Sequence, residues 1–288
     1  MGSEMCIRDR TTATGYYEDG VITCLRGEKY FKIKPERVII ATGAFERMIP
    51  FVGNDLPGVY GAGAVQTIMN LYGVVPAKRV LMVGAGNIGL IISYQLLQAG
   101  VEVVAIIEGM DKIGGYQVHS SKVRRMGVPI LTRHTIIEAV GEREVEGAII
   151  SKIDENWRPI PGTEKRLDVD TICLAVGLSP TIDILRQAGA KIVYIPELGG
   201  DVAIRDEFME TTAKGIYVAG DTAGIEEASS AIIEGAIAGI SAARSLGKSI
   251  PDFEKQIAQL REELNNLRAG PFGEKIKQGL EKLSRFSI

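Results

Sequence analysis

Gly84, Gly86 and Gly89 stand at the spacing G-x-G-x-x-G, directly after an apolar run from Arg79 to Val83 and ahead of residues patterned as a helix to Ala99. The first glycine suits a tight strand-to-helix turn, the second lets a phosphate approach the backbone, and the third lets the helix pack close. A helix N-terminus at that point offers N–H groups and the positive end of its dipole to an anion. Glu108 follows about 24 residues after Gly84, at the end of a second apolar strand, where such a unit places an acid to accept ribose hydroxyls. Its charge opposes a 2′-phosphate, so the pattern favours NAD over NADP. The glycines alone would also suit simple helix packing, and Glu108 alone an ordinary solvated acid. The strand–glycine–helix–strand–acid order is what turns them into a dinucleotide site.

A second set of residues closes strands elsewhere. Gly215 to Ala219 reads as a strand ending in Gly220-Asp221, with a long helix of small residues from Glu226 to Leu246 after it. A strand-end Gly-Asp lets the backbone approach a ligand and offers one carboxylate to a ligand hydroxyl, while the helix can aim its N-terminus at an anionic oxygen. By itself Gly-Asp is also just a turn. Ala41-Thr42-Gly43 and Ala175-Val176-Gly177 repeat the strand-then-glycine closure on either side of the central unit.

With these motifs the sequence resembles the two-dinucleotide-domain flavoproteins of the pyridine nucleotide-disulfide reductase type. Within them it is similar to the α subunits of sarcosine oxidase, dye-linked L-proline dehydrogenase and opine oxidase. The resemblance rests on ATGAFERMIPF (Ala41 to Phe51), LPGVYGAGAVQ (Leu56 to Gln66), VGAGNIGL (Val83 to Leu90) and YVAGDTAGIEEASSAIIEG (Tyr217 to Gly235), and covers about residues 11 to 250. It implies that Gly84, Gly86, Asn87, Gly89 and Glu108 bind NAD, or another adenine nucleotide in the same place. It implies FAD contacts for Thr42, Gly43, Gly220 and Asp221, and makes Gly177 a further cofactor-binding candidate. The implied activity is an FAD-dependent oxidoreductase subunit that passes electrons between flavin and NAD(H) in an amine or amino-acid dehydrogenase complex. Substrate oxidation would then fall to a β-type flavoprotein partner. A non-catalytic, nucleotide-binding assembly subunit is the alternative.

Two departures from the family stand out. No cysteine follows Cys173, so no iron–sulfur cluster is expected toward the C-terminus. Gly58 to Gln66, where thioredoxin reductases carry their redox cysteine pair, also has none, which disfavours dithiol chemistry. The FAD domain of the family opens with its own glycine fingerprint, and this sequence holds only the central one. The expectation is therefore an N-terminally truncated chain whose FAD domain is incomplete, preceded by a leader at 1–10 that looks non-native.

The elements that must position these residues follow from pattern. Short strands around Asp19-Gly20 and Arg26-Gly27 predict an antiparallel meander. Arg37 to Ala41 is a strand, and Pro50, Gly53, Pro57, Gly58, Gly61 and Gly63 punctuate a loop-rich crossover after it. The expected fold is α/β. An incomplete FAD-binding domain (11–76 and 178–250) encloses a Rossmann-like NAD-binding domain (77–177), and a helical tail occupies 251–288. In that tail Phe253, Ile257, Leu260, Leu264 and Leu267 form one apolar stripe and Ile276, Leu280 and Leu283 a second. Packing within the chain against the FAD domain is one way to cover them; the hypothesis is that at least one lies in a subunit interface.

Composition narrows the class. Of 288 residues 45% are hydrophobic and 24% charged, with a net charge of −3, so nothing favours nucleic acid or anionic lipid as partner. No apolar run is long enough to span a bilayer. Cys6, Cys24 and Cys173 include no C-x-x-C, which suits a reducing cytoplasm and gives no metal-site spacing. Glycine, at 34 residues, is about 12% of the chain where about 7% is usual. His119 and His134 have no partners at triad spacing, Glu46 and Arg47 read as a loop ion pair with a place beside the flavin as the alternative, and Trp157 reads as a flap over the sheet. No catalytic acid or base is assigned, because flavin and nicotinamide carry hydride chemistry themselves.

Overall fold

The Asp19-Gly20 and Arg26-Gly27 turns form as expected, with Gly20 at φ +79° and Gly27 at φ +58°, backbone that a side chain would strain. They join β1 (Thr12–Tyr16), β2 (Ile22–Arg26) and β3 (Lys29–Ile33) into an antiparallel meander. The computed structural model describes residues 7–270 and 273–286; Cys6, most of the leader and Pro271 lie outside them. The chain divides into two compact units, one built from the residues up to Phe45 with those from Leu178 onward, the other from Glu46–Gly177.

After the meander come β4 (Val38–Ile40) and β5 (Ala44–Glu46). The second unit then runs β6 (Val59–Gly61), α1 (Ala62–Tyr72), β7 (Arg79–Val83), α2 (Asn87–Gln98), β8 (Glu102–Glu108), α3 (Gln117–Arg125) and β9 (Ile130–Thr132). It closes with β10 (His134–Val140), β11 (Gly147–Lys152), β12 (Lys165–Leu167) and β13 (Thr171–Leu174). Its five-stranded sheet has the order β6-β13-β7-β8-β9, parallel throughout. β7 and β13 are buried on both faces, as their unbroken apolar sequences require. One face packs Val65, Leu90, Ile92, Leu96 and Val123 from the three helices; the other packs Ile136, Ala148 and Ile150 from the antiparallel sheet β10-β11-β12.

The sequence boundary at 77 falls inside this unit. β6 pairs in register with β13, Val59 opposite Ile172, and α1 buries Ala62 and Val65 against the same core as α2. The loop-rich reading of residues 50–63 missed both, because Gly61-Ala62-Gly63 disguises a helix start.

The first unit resumes with β14 (Leu178–Pro180), α4 (Asp183–Gln187), β15 (Ile192–Ile195), β16 (Gly200–Ala203) and β17 (Ile216–Val218). It ends with α5 (Ala228–Ser245), α6 (Phe253–Leu267) and α7 (Glu274–Ser284). β17 lies parallel to β4, Ile216 opposite Val38 and Val218 opposite Ile40.

The tail follows the in-chain alternative and not the interface hypothesis. Both apolar stripes are covered within the chain rather than left for a partner. Phe253, Ile257 and Leu264 of α6 join Tyr217, Ile233 and Ile237 in the core of the first unit. Ile276, Leu280 and Leu283 of α7 cover Ile195, Leu198, Val202 and Ile204. Gly279 allows that approach, since a Cβ there would stand 2.7 Å from Leu198 Cγ. Of the heptad positions Leu267 stays half exposed.

Candidate functional site

The glycine-rich turn of the second unit is built by two neighbouring strand ends. Gly84 leaves β7 at φ +109° and donates to Ile107 O at 2.8 Å, while Ala175 leaves β13 and donates to Val83 O at 2.7 Å. These ends meet between β7 and β13, where strand order reverses and open parallel sheets bind their ligands. A Cβ on Gly84 would collide with the Ala175 carbonyl, and one on Gly89 with the Gly84 carbonyl, so both glycines are required for packing. Gly86 is different: nothing lies within 4 Å of where its Cβ would sit. It is also the N-cap of α2, which has no side-chain cap and no acid in its first turn. The arrangement leaves an open cradle at a positive helix end, which fits a pyrophosphate.

Glu108 ends β8 beside that cradle. Its Oε2 accepts from Ala85 N at 2.9 Å and its Oε1 from Met110 N at 3.0 Å, which fixes the carboxylate; an ionised carboxylate still has lone pairs for ligand hydroxyls. Asn87 Oδ1 accepts from Tyr116 N at 2.8 Å, which ties the first turn of α2 to the entry of α3. Gly115 donates to Ala85 O at 3.0 Å, and a Cβ on it would stand 2.9 Å from both Asn87 N and the Gly86 carbonyl carbon. Gly114-Gly115 is thus a second close approach to the turn that spacing alone did not single out.

In the first unit Thr42, Gly43, Gly220 and Asp221 come together at the ends of β4 and β17. Thr42 Oγ1 donates to Thr181 O at 2.9 Å and lies 3.3 Å from Thr222 Oγ1, which donates to Gly43 O at 3.1 Å. Gly43 is at φ +72° with open space at its Cβ position. Asp221 is half-buried; desolvation pushes its carboxyl above the usual range, opposed by a bond from the Glu226 N–H.

Behind this loop four buried charges form a network the sequence did not reveal. Glu234 Oε2 accepts from Gly220 N at 3.0 Å, and its Oε1 from Arg268 Nη2 at 2.8 Å. Arg268 also forks onto Glu226, at 2.9 and 2.6 Å, and Arg205 Nη1 donates to Ala223 O at 2.8 Å. Burial raises the Glu234 carboxyl despite the two guanidiniums. Arg268 stays above its ordinary value, its bonds to the two glutamates outweighing desolvation. The C-terminal end of α6 is thereby tied to the Gly-Asp turn.

Gly177 belongs to the second unit, at φ +119°, where its carbonyl accepts from Arg47 N at 3.0 Å. Glu46 is not the loop ion-pair member its neighbour Arg47 suggested. Its carboxylate caps α1, accepting from Gly63 N at 2.6 Å and Ala64 N at 3.1 Å, and a Cβ at Gly61 would stand 2.7 Å from Glu46 Cδ, so a side chain there would displace the cap. Cys173 lies buried in β13 with its thiol pushed up to about 12, by desolvation first and by the charge of Glu46 second. His134 opens β10 with Nδ1 2.7 Å from Thr132 O, and His119 lies on α3 beside Tyr116. Among the described residues no cluster of His, Cys, Asp and Glu could hold a metal ion, and no helix is long and apolar enough to cross a membrane.

Comparison with known proteins bears on the family and the fold. The family profile described as pyridine nucleotide-disulphide oxidoreductase matches residues 4–235. The alpha subunit of sarcosine oxidase from Rhizobium meliloti is 29% identical over 84% of the chain, and an opine oxidase subunit from Agrobacterium tumefaciens 30% over 74%. The chain spans 24% and 44% of those relatives' own lengths. L-proline dehydrogenase from P. horikoshii superimposes with a TM-score of 0.62 at 24% identity, covering 89% of this chain and 44% of that one. At that identity the likeness speaks for the fold.

Proposed function

The chain belongs to the pyridine nucleotide-disulphide oxidoreductase family, and from that premise we propose that it serves as the electron-transferring α-type subunit of an amine or amino-acid dehydrogenase complex, in the cytoplasm, with a β-type flavoprotein partner. The family uses FAD and NAD(P), and bound together the two supply hydride-transfer chemistry. The observation that carries the reading is the open Gly86 position at the uncapped N-terminus of α2, with Glu108 fixed beside it. Gly86 and the first turn of α2 would take the pyrophosphate, and Glu108 the adenosine ribose, its charge selecting NAD over NADP. Asn87, in that first turn, would contribute to the same nucleotide contact, its Oδ1 held in place by Tyr116 N. Thr42, Gly43, Gly220 and Asp221 would hold FAD, with Asp221 accepting from a cofactor hydroxyl. The sarcosine, opine and proline substrates in the relatives' names support an amino-acid-like substrate class.

Anaerobic mixing of NADH with the FAD-loaded protein tests the reading. Loss of the flavin's visible absorption on nucleotide binding is the expected outcome. Nucleotide binding without flavin reduction would instead favour a non-catalytic role in assembly.

A further inference from the structure

Trp157 is the one tryptophan of the chain, and it is 60% exposed. It stands at the tip of the turn between β11 and β12, at φ +61°, a conformation that costs a bulky L-residue on the order of 1 kcal/mol or more. The turn is held firmly all the same. Asp154 Oδ1 accepts from Asn156 N and Arg158 N, both at 2.8 Å, and Trp157 N donates to Asp154 O at 3.2 Å. Burial does not explain the residue, since most of the ring remains in water. The ring closely approaches Gly109: a Cβ there would collide with the indole, with Cη2 at 2.9 Å. Gly109 directly follows Glu108, and Met110 donates its N–H to the Glu108 carboxylate. A rigid, strained, exposed indole thus lies against the residue next to the acid assigned to the adenosine ribose.

From this placement we infer that Trp157 forms a wall of the adenosine pocket, presenting its ring to the adenine base of the bound dinucleotide. The inference rests on the nucleotide reading of the Gly84–Gly89 turn. In an adenine nucleotide the base is joined to the carbon beside the ribose 2′-hydroxyl, so a ribose held by Glu108 brings adenine within reach of side chains packed on Gly109. An aromatic face there stabilises any base by stacking, without reading its edge. The turn conformation is fixed before binding, so little ordering cost falls on the complex. The absence of a side chain at Gly109 is what lets the indole reach this position.

The single tryptophan makes the contact observable. With the 288-residue chain, ADP-ribose, which lacks the nicotinamide chromophore, is titrated while emission is excited on the red edge, where tyrosines do not absorb. Calorimetry on the same samples reports binding independently of the indole. Saturable quenching with the same midpoint as the heat is expected. Trp157→Ala should bind NADH and ADP-ribose about tenfold more weakly, and Trp157→Phe should recover most of that loss. Nicotinamide mononucleotide, which carries no adenine, should bind both variants like the parent protein. Heat of binding with unchanged emission, or unchanged or tighter binding in Trp157→Ala, overturns the role of Trp157 and leaves the nucleotide site standing. No binding heat from either NADH or ADP-ribose overturns the nucleotide reading and this inference together.

Discussion

Glu108 ties Ala85 N to Met110 N through one carboxylate, and in the proposed site the same carboxylate would meet the ribose. The two can be separated. Glu108→Ala loses both and should weaken NAD(H) about tenfold or more, as expected for a charged hydrogen bond worth about 1.5–3 kcal/mol. Glu108→Gln keeps an acceptor for one backbone N–H and loses the repulsion, so the gap between NAD(H) and NADP(H) should narrow; calorimetry with both nucleotides measures each. Cys173 poses the opposite case, a group with chemistry that its position silences. A thiol raised to about 12 in the fold titrates lower in the unfolded chain, near its ordinary value of 9.0. Its contribution to stability is therefore complete below about pH 9 and is lost as pH rises toward 12. Denaturation midpoints should fall across that window and fall less in Cys173→Ala, and alkylation of Cys173 at neutral pH should proceed no faster than unfolding exposes it.

At the scale of elements, legibility tracked how local the determinants were. β7, α2 and β8 could be read because apolar runs, the glycine spacing and a strand-end acid lie within one stretch of chain. α1 could not, since its cap is Glu46, 17 residues upstream, and its first turn is written in glycine and alanine. The four-charge network behind Gly220 was hidden for the same reason, being drawn from β16's flank, the α5 entry and the end of α6. Arg268→Met tests that network. It strands Glu226 and Glu234 without their fork, and breaking a buried pair from one side costs about 3–5 kcal/mol. A clear drop in melting temperature is expected, with faster amide exchange at Gly220, whose N–H Glu234 accepts. An unchanged melting temperature would show that water replaces the guanidinium at no cost. Arg268→Lys should recover little, since an ammonium lacks the planar fork that pairs with both oxygens of Glu226 while also reaching Glu234.

For the whole molecule, the α/β class, the inserted nucleotide unit and the helical tail were all readable, while the destination of the tail was not. An amphipathic stripe specifies that it must be covered, not by what. Removing residues 251–288 takes away Phe253, Ile257, Leu264 and Leu283 together with Arg268, so it opens two clusters and uncovers two buried acids. The expected result is aggregation and loss of hydrogen-exchange protection at β4, β17 and α5, with protection kept at β7, β8 and β13. Unchanged protection with a smaller assembly mass would return the stripes to a subunit interface.

The division of the first unit between the two ends of the chain sets an order of events during synthesis. β4 pairs with β17, and Gly43 and Thr222, bonded to each other, lie 179 positions apart. The unit between them is continuous in sequence, so it can be complete while β4 still waits for its neighbour. At about 5–20 residues per second that wait is on the order of ten to forty seconds. For that interval the apolar strand Val38–Ile40 of the nascent chain lacks β17, the strand it pairs with among the described residues, behind a finished nucleotide-binding unit. A chaperone that shields short hydrophobic strands would act there, and a synonymous codon change that slows translation between the two units would lengthen the exposure without altering a residue.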